Sequence, residues 1–262
     1  MQKDPAAGVR GKLGRARVHL AELERDAKAY MDSEPFEIYH EADPDSGPIR
    51  AHVHVRAEPP EHLGLVLGDA LHNARTALDH VVCRLVEDAG GTVGPETMFP
   101  TAKKATDWPK WVKKRLAGAS PAAVAAVMAS AVHPGGDDQL WALHRLDIDD
   151  KHKVLIPLGM YLGTVNLRFG HSVLGDAAPL IGLVPEDVIR IEEGVEIFTI
   201  AEQARFADEP PPALKQDFGF TFDLGLDSDG ALGPRPVRLV QTATALIDHA
   251  ETVALDLARL LA

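Results

Sequence analysis

The stretch Gly68-Asp69-Ala70-Leu71-His72-Asn73-Ala74-Arg75-Thr76-Ala77-Leu78-Asp79-His80-Val81 decides how this chain is read. It lies within residues 61–89, which Pro59-Pro60 precede and Gly90-Gly91 close, the punctuation of a helix. At about 100° per residue, Val66, Leu67, Ala70, Leu71, Ala74, Ala77, Leu78, Val81 and Leu85 share one side. Asp69, His72, Arg75, Thr76, Asp79 and His80 fall on the other, within an arc of roughly 140°. Leu65 brackets that arc at one end, and Cys83 and Val86 at the other. Apolar brackets predict a polar block that is partly covered, and covered charges need partners. The spacing offers Asp69 with His72, Arg75 with Asp79, and His72 with Asp79.

A second segment mirrors the first. In Leu143-His144-Arg145-Leu146-Asp147-Ile148-Asp149-Asp150-Lys151-His152, the residues His144, Asp147, Lys151 and His152 share a helix face. Both segments carry His-x7-His, with opposite charges at the third and seventh positions after the first histidine. A parallel, in-register approach predicts the pairs Arg75–Asp147 and Asp79–Lys151; an antiparallel approach forbids them. In the parallel case His72, His80, His144 and His152 converge, as histidines on facing helices do around a divalent metal ion. Four readings stay open, the first that the arc is a plain solvated face. The cluster is a catalytic or ligand-binding site without cofactor. It is a structural salt-bridge network in a non-enzymatic binding or assembly protein. Or it is a metal site of an enzyme, built from the four histidines.

Arg75-Thr76-Ala77-Leu78-Asp79-His80 has the form Arg-x4-His. It resembles the Arg-x(4–6)-His motif of HEPN-type ribonucleases, and Arg145 to His152 matches the same spacing. The resemblance implies a helical, dimeric protein that cleaves RNA without metal, with the RNA 2′-hydroxyl as nucleophile. It implies that Arg75 stabilises charge at phosphorus and that His80 is a general acid or base, with His72 beside them. Asp69, Asp79, His144, Asp147, Lys151 and His152 are then candidate substrate-binding residues. Thr76 departs from the motif, which often carries Asn, Asp or His after the arginine. The strings LGDALHNARTALDH and LHRLDIDDKHK also resemble a bacterial protein group of similar length that brings no established activity with it.

Outward from these helices, Leu13, Ala16, Leu20, Leu23 and Ala27 predict a helix over 8–31. Phe36–Glu41 and Ile49–Ala57 flank the turn cluster Asp43-Pro44-Asp45-Ser46-Gly47-Pro48 and predict a hairpin. One side of its second strand is Arg50, His52, His54 and Arg56, facing Glu37, Tyr39 and Glu41 across the hairpin; an anion or metal site there is the alternative. Short helices are expected over 102–117 and 121–132, and strands at 154–157, 164–168, 188–191, 195–201 and 218–224. Residues 202–216 read as a loop, and 236–261 as a helix begun by Pro236. The order predicts a single α+β domain: a helical bundle from 8–31, 61–153 and 236–261 with an antiparallel sheet from 36–57 and 154–224 packed against it.

The 262 residues carry Lys+Arg 27 and Asp+Glu 39, a net charge of −12. That excludes bulk non-specific nucleic-acid binding but not a local basic site. The one basic run, Lys103 to Arg115, includes Trp108 and Trp111; it is either an amphipathic surface helix with its indoles in the core or a patch that holds phosphates and stacks bases. The single cysteine, Cys83, rules out an internal disulfide and reads as a core residue. There is no apolar run of membrane-spanning length, and the N-terminus lacks the apolar core of a secretory signal. A cytoplasmic location is expected, and a homodimer is plausible on the amphipathic first helix and hairpin.

Overall fold

The computed structural model describes residues 4–42, 49–152, 158–167, 181–183, 189–200, 218–226, 232 and 237–261. The fold is α+β, made of helices and antiparallel strands. The chain divides into two compact units. One comprises residues 1–27, 61–157 and 228–262; the other comprises 28–60 and 158–227.

In the first unit, α2 (Glu61–Asp88) is the central helix, packed against both α5 (Asp138–His152) and α6 (Leu239–Ala258). Its apolar side is the one the periodicity predicts: Leu67, Ala70, Leu71, Ala74, Ala77, Leu78 and Val81 are buried. Gly90 ends the helix with φ +77, a left-handed position that a side chain resists, and the Gly91 amide closes on the Val86 carbonyl at 2.8 Å. The brackets of the polar arc differ from expectation. Val86 is buried and Cys83 half-buried, but Leu65 is 54% exposed, so cover comes from one end only.

α1 (Ala7–Asp32) runs antiparallel to α2. Lys12 Nζ meets Asn73 Oδ1 at 3.3 Å and Asp26 meets His62 at 3.3 Å, while Arg17 binds Asp248 and Glu251 of α6. Residues 102–117, expected as one helix, divide into a 3-10 turn (Ala105–Asp107) and α3 (Trp108–Arg115), because Pro109 suits only a first turn. α4 (Pro121–Ser130) is capped by the Ser120 hydroxyl and stops where Ala131 turns left-handed at φ +46. α6 begins at Leu239 rather than 236, since Val237–Arg238 are extended (β7). No described helix is long and apolar enough to cross a membrane.

In the second unit, β1 (Phe36–Ala42), β2 (Ile49–Val55) and β5 (Glu196–Ile200) form an antiparallel sheet in the order β1-β2-β5. β3 (Leu158–Leu167) pairs antiparallel with β4 (Ile181–Leu183) and with β6 (Phe218–Leu226). Ala51, Val53, Met160, Leu162, Ile191 and Ile197 form the core between them. The hairpin has the expected cross-strand partners: Glu37 with His54, Tyr39 with His52, Glu41 with Arg50. Tyr39 stacks on His52 at 5.4 Å, and His54 is held by Glu193 at 2.9 Å. β3 starts six residues before the expected 164, and β4 has no counterpart in the expectation; of the expected strand at 188–191, the described residues 189–191 supply a bridge at Arg190. The expected strand at 154–157 and the expected loop at 202–216 lie outside the described residues.

Candidate functional site: a divided cluster on α2 and α5

α2 and α5 meet antiparallel. Gly68 faces the Asp150 carboxylate, and His72 bonds Asp147 one turn further along α2 and one turn earlier along α5. This orientation overturns the pairs Arg75–Asp147 and Asp79–Lys151. Instead Arg75 pairs with Asp79 on its own helix, and Asp147 takes His72. The same orientation puts position 151 at the Gly68 end of the seam, away from Asp79. The side chains of Lys151 and His152 lie outside the described residues.

A Cβ at position 68 would meet the Asp150 carboxylate, the far end of a half-buried side chain that can turn aside. Gly68→Ala is expected to change stability by no more than about 1 kcal/mol, because the displaced carboxylate offsets the helix preference of alanine over glycine, read as a nearly unchanged urea midpoint.

The polar arc resolves into two parts. In the first, Arg75 is only 6% exposed although it is a guanidinium. Its Nη1 donates to Asp79 Oδ1 at 2.6 Å and its Nη2 to the Phe99 carbonyl at 2.8 Å. The Phe99 amide donates to the same Asp79 Oδ1 at 2.8 Å, and Arg75 lies 5.8 Å from the Phe99 ring centroid. Phe99 is a core side chain, so its backbone groups are cut off from water and need internal partners. The i,i+4 pair supplies both. It fastens the 98–100 segment to α2, whereas the sequence pointed to a lock between two helices.

In the second part, Asp147 is 4% exposed at its side chain, and His72, 43% exposed, donates Nδ1–H to Asp147 Oδ1 at 2.8 Å. That bond fixes the neutral ring as the tautomer with a bare Nε2, which faces the Thr76 hydroxyl at 3.4 Å. A buried carboxylate that orients a half-exposed imidazole is the arrangement of a general base.

The remaining candidates separate. His80 lies against α1, within 3.2 Å of a Cβ placed at Gly8. Asp69 is exposed, and its carbonyl accepts the Asn73 side chain. His144 bonds Thr101 at 3.1 Å and tilts against Trp141 at 6.0 Å. His72, His80 and His144 thus face three different neighbours, and their convergence on one metal ion is corrected. Among the described residues no group of three His, Cys, Asp or Glu side chains is placed to hold a metal, in this unit or on the hairpin. Burial, with Asp79 and Glu87 nearby, raises the Cys83 thiol above its ordinary value, so it stays protonated and unreactive.

One turn along the seam from His72 and Asp147, a cavity of about 390 Å³ opens beside Arg75 and His144, walled by Phe99, Trp111, Trp141 and Arg145. The basic run contributes to it in part. Trp108 is in the core, with its indole N–H on the Met128 carbonyl at 2.9 Å, whereas Trp111 and Arg115 line the cavity. Thr76, Thr101 and Trp141 complete this picture without having been candidates. Thr76 was visible as a member of the arc; the other two carry no spacing signal.

In comparisons with protein-family models, curated proteins and solved structures, nothing matches this chain.

Proposed function

We propose that the protein cleaves RNA phosphodiesters without a metal ion, with His72 as general base and Asp147 as the residue that orients it. The observation that carries this reading is the buried Asp147 carboxylate bonded to a half-exposed His72 ring whose other nitrogen faces the Thr76 hydroxyl. The choice of RNA is supported by the Arg-x4-His resemblance and by the cationic, aromatic cavity on the same helical seam. In the step, His72 Nε2 takes the proton of the 2′-hydroxyl, a bond forms from O2′ to phosphorus, and the P–O5′ bond breaks. The departing O5′ takes a proton from water, leaving a 2′,3′-cyclic phosphate and a 5′-hydroxyl end.

Within this reading Arg75 holds the 98–100 segment rather than touching the phosphate, since both its described hydrogen bonds are internal. His80 is eight residues from His72, about 12 Å along the axis, and serves a different part of the strand. A homodimer belongs to the same reading; Val18 and Leu65, half exposed on α1 and α2, are apolar residues that a second copy would cover.

The test is a labelled single-stranded RNA incubated with the protein in EDTA. Cleavage to cyclic phosphate ends is expected, with none on a strand whose nucleotides are all 2′-deoxy. Cleavage of the deoxy strand, or dependence on added metal, overturns the reading.

A further inference from the structure

We propose that the cavity between α2, α3 and α5 is a nucleotide subsite, in which a base stacks at Trp111 and Trp141 and its phosphate is held by Lys103 and Arg145. This deepens the proposed function and rests on it for the choice of RNA as the parent ligand.

The argument starts from charge. In a chain of net charge −12, the cavity lining holds four cationic side chains against one carboxylate, Asp107. Two of the cations are already matched, Arg75 by Asp79 and Arg115 by Glu96. Among the described residues Lys103 and Arg145 have no ion-pair partner. Arg145 is half-buried, so its guanidinium stem is already ordered and an incoming anion need not fix it from free solution. Lys114 and Arg115 lie over the Trp111 ring at 5.2 and 5.0 Å from its centroid, so a base stacks only on the part of the indole they leave open. Trp141, also in the lining, is tilted against His144.

Indoles beside cations accept a planar aromatic ring and an adjoining anion together, which is the chemistry of a nucleotide. Neither an inorganic anion nor an apolar ligand uses both halves. The volume, about 390 Å³, falls within the range of small-molecule sites. The cavity also lies where an extended strand would need it, since Arg75 and His144 in its wall are each one helical turn from His72 and Asp147.

The experiment is a titration of the intact protein with adenosine 5′-monophosphate, followed by tryptophan emission, with adenosine and inorganic phosphate as its separate halves. Far-ultraviolet circular dichroism of the same samples reports that the fold is intact. The monophosphate is expected to quench emission and to bind more tightly than either half. Arg145→Gln and Trp111→Leu are each expected to weaken it at least about tenfold. No binding, equal binding of inorganic phosphate alone, or unchanged affinity in both variants overturns the subsite.

The two proposals fail separately. A protein that binds the monophosphate but leaves RNA intact keeps the subsite and loses the proposed function. One that cleaves RNA with the same KM in wild type and in Arg145→Gln keeps the function and loses the subsite.

Discussion

Exchange of His72 for asparagine is expected to lower the cleavage rate by about 10²–10⁴-fold, the usual contribution of a positioned general base. Asparagine is the informative replacement. Its amide occupies the place of Nδ1 and goes on donating to Asp147, whose carboxylate is almost wholly buried and would otherwise lose a partner. Only the bare Nε2 is removed. The melting temperature is therefore expected to change little, so that a loss of rate cannot be assigned to unfolding. His72→Ala leaves the carboxylate without that bond and is expected to be less stable, but exogenous imidazole should restore part of its activity. Asp147→Asn acts through the same ring. An amide there permits the other tautomer, with the proton on Nε2, so kcat falls while KM for the RNA is held. Activity unchanged in His72→Asn removes this pair from the mechanism altogether.

The helices were legible because their signals are local and repeated. Leu67, Ala70, Leu71, Ala74 and Leu78 return at helical spacing, and Gly90 marks the end of α2 by a backbone conformation that its neighbours resist. The α+β class followed from the order of such segments. The Arg75–Asp79 pair was also visible, since i,i+4 spacing on one helix fixes the distance whatever the tertiary fold. What the sequence did not fix was the direction of one helix against another. His-x7-His on both segments is equally consistent with parallel and antiparallel packing. In the structure the antiparallel packing sets Gly68 against the Asp150 carboxylate. The antiparallel choice exchanged Arg75 for His72 as the partner of Asp147 and turned a supposed ring of histidines into three separate environments. The role of Phe99 was hidden for a different reason. Its backbone, not its side chain, is what Arg75 and Asp79 recognise, and backbone groups have no letter in a sequence.

Loss of Arg75 should then be felt in stability more than in turnover. Arg75→Ala is expected to destabilise the first unit by about 2–4 kcal/mol, toward the lower part of the range for a broken buried ion pair, because Asp79 keeps some contact with water. The substitution strips the Phe99 carbonyl of its donor and leaves Asp79 with the Phe99 amide alone. For a chain of this size that shift corresponds to roughly 5–15 °C in melting temperature. Asp79→Ala removes the acceptor for both Arg75 and the Phe99 amide and is expected to cost a similar amount. The double variant should fall well short of the sum, because the two side chains act on one segment and their effects are coupled. Hydrogen exchange gives the local readout: the Phe99 amide, protected in the native protein, should exchange much faster in either single variant while amides in the middle of α2 change less. Measured below its own melting transition, Arg75→Ala is expected to retain cleavage within about tenfold of the native rate, far from the loss that a general base produces. A stable Arg75→Ala protein with no cleavage at all reverses the assignment. The guanidinium would then act on the phosphate, as the Arg-x4-His resemblance implies, and its bonds to Asp79 and Phe99 would be what aims it.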